Sequence, residues 1–106
     1  MRAQVRLAFP SILMTYKLEF LPSATKEWRK LGATVQKQLK KKLVERLEHP
    51  NVPAARLYGM QNRYKIKLRQ SGYRLVYEVR DAEIVVVVIA VGKRERGDVY
   101  RKADGR

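Results

Sequence analysis

No stretch leaves this chain less conformational freedom than Ile84 to Val91, which reads IVVVVIAV. Branching at Cβ restricts χ1 and favours the pleated backbone over the helix. Apolar residues at every position mark a buried central strand, which Gly92 stops. A bilayer-spanning helix needs about 20 apolar residues, and no run in the chain approaches that length.

The other elements have to be arranged around that strand. The chain has 106 residues, enough for one compact domain. Residues 1–14 read as a disordered extension, or as translation begun upstream of a true start at Met14. Two arginines precede a short apolar stretch there, but Pro10 interrupts it and no small-residue cleavage site follows. The domain then occupies residues 15–106. TYKLEF alternates Tyr16, Leu18 and Phe20 with Lys17 and Glu19, a half-buried strand. Ser23 is placed to cap a helix reaching Leu31, closed by Gly32, with Ala24, Trp28 and Leu31 on its apolar side. Val35, Leu39, Leu43 and Leu47 recur every fourth position along a second helix from Thr34 to Glu48, and Val44 widens the stripe. Pro50 and Pro53 mark the exit loop. ARLYGM forms a short strand or an extended loop. After the central strand, KRERGDVYRKADGR holds one helical turn before fraying. Strand, two helices and three strands on short connections predict an α+β domain. Its sheet is mainly antiparallel, with an N-terminal helical hairpin on one face and the other face open to solvent or ligand.

Tyr64 to Arg80, YKIKLRQSGYRLVYEVR, reads as a hairpin. With Ser71-Gly72 as a two-residue turn, Leu68 faces Leu75, Ile66 faces Tyr77 and Tyr64 faces Val79 on an apolar side. On the polar side Arg69 faces Arg74, Lys67 faces Val76 and Lys65 faces Glu78. A loop one residue longer or shorter would mix the two sides. Like charges packed on one face of a sheet repel. They make sense as a surface for something negative.

Composition supports that reading. Lys plus Arg number 24 against 10 acidic residues, giving +14 and a pI near 10.5, an excess that points to a polyanionic partner. Without cysteine, disulfides and thiolate chemistry are excluded. His49, the single histidine, lies beside a proline in EHPN and reads as a surface residue. No Asp/Glu/His grouping has metal-ligand spacing, so no cofactor or metal is expected. A membrane role has little support, because the basic residues sit on a sheet rather than on an amphipathic helix. Lys93, Arg94 and Arg96 follow the central strand, and Tyr100 comes shortly after. Arginine forks grip phosphate and a tyrosine ring stacks on an unpaired base, so single-stranded RNA suits the set better than duplex. Arg69, Lys93 and Arg96, with Lys41 and Lys42 on the second helix, are the RNA-binding candidates.

KEWRKLG, LKKKLVERLE, YKIKLRQSGYRLVYEV and VGKRER followed by VY closely resemble the RelE family of bacterial type II toxins. The resemblance runs from Thr15 to Tyr100. It implies a fold related to small microbial ribonucleases and cleavage of mRNA in the A site of the 70S ribosome, in the cytoplasm. It also implies neutralisation by a RelB-type antitoxin, in a complex that binds operator DNA. Lys65, Lys67, Arg74, Arg94 and Tyr100 match the family's catalytic positions, and Arg96 a further RNA contact. Tyr58 stands where relatives often carry arginine. The tail RKADGR lacks the apolar residues of a docking helix, so a C-terminal helix should be weakly held.

Cutting RNA without a metal requires a base for the 2′-OH, charge at the phosphorane and an acid for the 5′-oxygen. Cationic neighbours lower a lysine's pKa. Lys67, beside Arg69 and Arg74, is therefore assigned as base, and Lys65, expected near Glu78, as a charged phosphate ligand with Arg74. Arg94 faces the leaving group, through its charge or as a proton donor, and Tyr100 orients a base or the 2′-OH. Such poor proton-transfer groups call for the ribosome to align the mRNA. Two rivals stand beside this reading. One is a ParE-like toxin of the same fold acting on DNA gyrase; the other is an RNA- or DNA-binding module without turnover.

Overall fold

The computed structural model describes residues 16–106, so the extension expected over residues 1–14 lies outside the described part. Strand β1 (Lys17–Phe20) is followed by helices α1 (Pro22–Arg29) and α2 (Ala33–Glu48) and a 3-10 turn at Pro53–Ala55. Then come β2 (Arg63–Lys67), β3 (Tyr73–Arg80), β4 (Val85–Lys93) and helix α3 (Asp98–Asp104). The sheet order is β1-β4-β3-β2. The apolar run supplies the central strand, β4, which pairs antiparallel with β3 and parallel with β1. But Ile84 lies in the turn before it, and Gly92 falls inside the strand instead of stopping it. The β1–β4 pairing makes the sheet mixed, because α1 and α2 form a crossover that returns the chain in the same direction.

On one face α1 and α2 bury Ala24, Trp28, Leu39, Leu43 and Leu47 against Leu18, Phe20, Ile66, Leu75, Tyr77, Val86 and Val88. The every-fourth stripe of α2 is this buried edge, with Val35 packed at its margin. Gln36 Nε2 donates to the Trp28 carbonyl at 2.8 Å and ties the two helices together. Helix α1 begins at Pro22 rather than under a Ser23 cap. A proline in the first turn needs no partner for an N–H, and its φ is already helical.

The second face is not open along its length. Val99 and Ala103 of α3 are buried against Val76, Val85, Val87, Ile89 and Ala90. The tail expected to fray after one turn is a two-turn helix, and its small side chains allow close approach to the sheet. Polar contacts secure its end. β1 stops opposite Val88, which leaves the outer edge of β4 without a strand beyond that point. There the Val91 N–H donates to Glu27 Oε1 at 3.0 Å, and the Ile89 carbonyl accepts from Arg106 at 2.9 Å. Arg106 also grips the Glu27 carboxylate at 2.9 and 3.1 Å. Edge groups that would otherwise lack partners are thereby satisfied.

Candidate active site

The hairpin keeps its expected sides but not its expected register. Lys67 pairs with Arg74, Ile66 with Leu75, Lys65 with Val76 and Tyr64 with Tyr77. The connection is a four-residue loop, 69–72, closed by Leu68 N–H to Tyr73 O and Gly72 N–H to Leu68 O, both 2.9 Å. The pairing differs from the two-residue-turn register by two positions. A shift of two leaves every side chain on its face, because the side-chain period of a strand is also two. Tyr64, Ile66, Leu68, Leu75, Tyr77 and Val79 face the helices, and Lys65, Lys67 and Arg74 the other way.

Arg94 joins them through a bulge. Val76 pairs with Ala90 and Tyr77 with Val88, leaving Ile89 as the extra residue. Ile89 and Ala90 both belong to the α3-side core, and Val91 to the helix-pair side. The alternation is reset by one, so Lys93 turns toward Tyr73, its Nζ 5.6 Å from the ring centroid. Arg94 returns to the side of Lys67. Its N–H donates to Gly72 O at 2.8 Å and moors the end of β4 to the hairpin loop.

These placements converge on Lys67. Its pKa is lowered by the charge of Lys65 first, then by slight desolvation, and then by Arg69, Arg74 and Arg94. Lys67 is the lysine assigned as base, and its surroundings favour that role. The expectation for Lys65 loses its basis, because Glu78 lies opposite Arg63 and not opposite Lys65. Burial pushes the Glu78 carboxyl up, but Arg80 at 2.7 Å and Arg63 at 3.1 Å outweigh it and hold the pKa below its usual value.

Arg74 is less exposed than its assigned role suggests. Only 7% of it is accessible, and its Nη1 donates to the Tyr73 and Leu68 carbonyls at 3.0 and 3.3 Å. Its Nε is buried without a protein partner. Tyr100 is half-buried on α3 against the second core. Arg96 is exposed, in the loop before α3, with φ of 52°. Lys41 and Lys42 line a groove of about 660 Å³ with Lys67, Arg69, Gln38, Glu45 and the hairpin loop. Lys93 points to the opposite face of the sheet from Lys67, against Tyr73. Tyr58, 89% exposed, sits at the Arg63 end of β2, away from Lys67.

Arg46 did not stand out in the sequence. From α2 its Nη1 donates to the Lys65 carbonyl at 3.1 Å and to Tyr77 Oη at 2.9 Å. The available signal was its place beside Leu47 at the margin of the buried stripe. Among the described residues no group of His, Asp or Glu comes together that could hold a metal ion. The convergent groups are ammonium and guanidinium. Together they can bind a phosphate, stabilise charge on it and, at Lys67, accept a proton.

Comparison with known proteins gives the chain its family. Residues 18–97 match the family described as ParE toxin of type II toxin-antitoxin system, parDE. The chain is 63% identical over 90 residues to the mRNA interferase toxin RelE of Escherichia coli K12, covering 85% of this chain and 95% of that one. An E. coli RelE double arginine-to-alanine mutant in the free state superposes with a TM-score of 0.82 at 60% identity, covering 88% of this chain and 98% of that one. A chain of the intact E. coli RelBE toxin–antitoxin complex superposes with a TM-score of 0.74 at 64% identity, covering 76% and 99%.

Proposed function

Because this chain belongs to the ParE/RelE family of type II toxins, we propose that it is an mRNA interferase, a metal-independent endoribonuclease that cleaves mRNA in the ribosomal A site and so stops translation. The observation that carries this reading is the gathering of Lys65, Arg69, Arg74 and Arg94 around Lys67, whose pKa they depress.

In the reaction Lys67, in its neutral form, takes the proton of the 2′-OH. The 2′-oxygen attacks the adjacent phosphorus, and the bond from phosphorus to the 5′-oxygen breaks. The products are a 2′,3′-cyclic phosphate and a 5′-hydroxyl. Lys65 and the buried guanidinium of Arg74 hold the non-bridging oxygens, whose charge grows at the phosphorane. Arg94 stabilises the departing 5′-oxygen through its charge, since arginine holds its proton at neutral pH, and that oxygen takes its proton from water to become the 5′-hydroxyl. Tyr100 orients the nucleotide. Lysine and arginine are inefficient at proton transfer, and alignment by the decoding centre compensates by fixing the attack geometry.

Partners follow from the same reading. A RelB-type antitoxin neutralises the toxin in the cytoplasm, its anionic segment meeting the cationic face, and their complex binds operator DNA. The gyrase-directed alternative shares the family but has no use for a phosphate-cutting set. Incubating the purified chain with translating ribosomes, with the same mRNA free of ribosomes and with gyrase separates the readings. Breaks within translated frames alone support the proposal. Equal cutting of naked mRNA overturns ribosome dependence, and lost supercoiling with intact mRNA overturns the nuclease reading.

A further inference from the structure

We propose that Arg46 is a positioning residue that staples the lysine-bearing edge strand to the sheet and so holds Lys65 and Lys67 in the arrangement that cleavage requires. The inference rests on the proposed nuclease reading for its catalytic readout, but its geometry stands independently.

β2 is the last strand of the sheet, paired with β3, and on its outer side it is met at its start by the Arg56–Tyr64 bridge and the Leu57 N–H donated to Arg63 O at 2.9 Å. Leu68 exchanges its backbone bond with Tyr73, so the even-numbered residues of β2 bond toward β3. The odd-numbered residues, Lys65 and Lys67, therefore turn their backbone polar groups outward, away from β3, just past the Arg56–Tyr64 bridge. The same two residues carry ammonium groups on one face, next to Arg69, Arg74 and Arg94. Their mutual repulsion is relieved by an outward swing of the Lys65–Lys67 end of β2, beyond the Arg56–Tyr64 bridge that holds its start.

Arg46 opposes that swing. A single nitrogen, Nη1, donates to the Lys65 carbonyl on β2 and to the Tyr77 hydroxyl on β3, bridging the two strands from outside the ladder. The anchor at Tyr77 is rigid. Its ring is fully buried and stacked on Tyr64 with centroids 5.6 Å apart, and its hydroxyl donates to the Pro50 carbonyl at 2.8 Å. The guanidinium carbon of Arg46 also lies 5.8 Å from the Tyr77 ring centroid. Lysine at this position would offer one compact ammonium in place of a planar fork.

Charged groups approach Lys67 from several elements. Lys65 lies on β2, Arg69 on the loop, Arg74 on β3 and Arg94 at the end of β4. Lys41, Lys42 and Glu45 of α2 line the groove on one side of it. Arg46 shares a second groove with Lys42, Lys65, Lys67 and Arg69, so the charge-keeping Arg46→Lys separates loss of the staple from loss of a cation. Of these, Lys65 depresses Lys67 most, and Lys65 is the residue Arg46 tethers. Release of the staple lets β2 carry Lys65 and Lys67 together away from Arg74 on β3 and Arg94 after β4.

The test is Arg46→Met, which keeps the aliphatic stem packed on the sheet and removes the donors. The titration of Lys67 Nζ is followed by NMR in the intact chain, alongside the pH profile of mRNA cleavage on programmed ribosomes. The staple predicts that the Lys67 midpoint moves up by about half a pH unit. It also predicts that cleavage at neutral pH falls roughly 3- to 10-fold while the plateau at high pH is retained. Arg46→Lys should recover only part of the shift. An unchanged Lys67 midpoint in a folded Arg46→Met variant overturns the proposal, whatever the stability change. A shifted midpoint without any cleavage by the parent chain supports the staple and sinks the nuclease reading instead.

Discussion

The backbone N–H of Arg94 donates to the carbonyl of Gly72 at 2.8 Å, so the end of the central strand and the tip of the lysine hairpin are held by main-chain atoms. The Arg94 side chain takes no part in that bond and is exposed. Arg94→Ala should therefore leave stability within about 0.5 kcal/mol of the parent, the usual result for an exposed position. Cleavage on ribosomes should fall by about 100-fold or more, as for loss of a group facing developing charge. Urea unfolding and cleavage rates measured on one preparation check both parts.

Gly72 is held at φ of 79° in the loop that closes the hairpin. Space is not limiting, since a Cβ there would meet nothing within 4 Å. The cost of Gly72→Ala is therefore conformational, about 1 kcal/mol. The substitution should lower the urea midpoint and, by loosening the loop that carries the Arg94 mooring, weaken cleavage. An Ala variant as stable as the parent would show that the loop does not depend on this conformation.

Ile84 adopts φ of 55° in the β3–β4 turn and is 50% exposed. A β-branched residue is strained there, and the half-exposed side chain recovers little of that strain by burial. Ile84→Asn, a residue that tolerates this conformation, should raise stability by about 0.5 kcal/mol or more with cleavage unchanged. Thermal and urea unfolding are the measurements.

Glu27 and Glu78 set the acid limit of the fold. Burial pushes both carboxyls up, but Arg106 with the Val91 N–H at Glu27, and Arg80 with Arg63 at Glu78, bring their pKa values below the usual 4.5. A carboxyl with a lowered folded-state pKa contributes stability that is complete above its unfolded value and is lost as pH falls through the folded one. Unfolding midpoints should hold from neutrality to about pH 5 and drop below the ordinary carboxylate value. Glu27→Gln should be less stable than the parent at pH 7 and lose less on acidification. A parallel drop in parent and variant would show that other groups control the acid limb.

The faces of the hairpin were legible because alternation survives any even change in loop length. The turn itself was not. Ser71-Gly72 looks like a tight turn, but Gly72 occupies the last position of a four-residue loop, and the two choices share one apolar pattern. The bulge at Ile89 was hidden for a related reason. In an all-apolar run no polar residue marks the phase, so nothing in IVVVVIAV tells that Arg94, rather than Lys93, returns to the side of Lys67. The docking of α3 escaped notice because Val99 and Ala103 make too short a stripe to read, and Arg106 acts through a glutamate far away in sequence. The pairing of Glu78 with Arg63 and Arg80 depended on a register two positions from the expected one.

The central claim is that Lys67, tuned by the cations around it, begins RNA cleavage as a base. The most direct measurement is single-turnover cleavage of ribosome-bound mRNA by Lys67→Ala against the parent across pH, with ribosome binding followed in parallel. The account predicts that Lys67→Ala binds ribosomes nearly as well as the parent but releases almost no 2′,3′-cyclic phosphate product. It further predicts that the parent's rate rises with pH through a midpoint below that of an ordinary lysine, and that the variant lacks this rise. Cleavage by Lys67→Ala at a rate near the parent's, with the same pH profile, would contradict it.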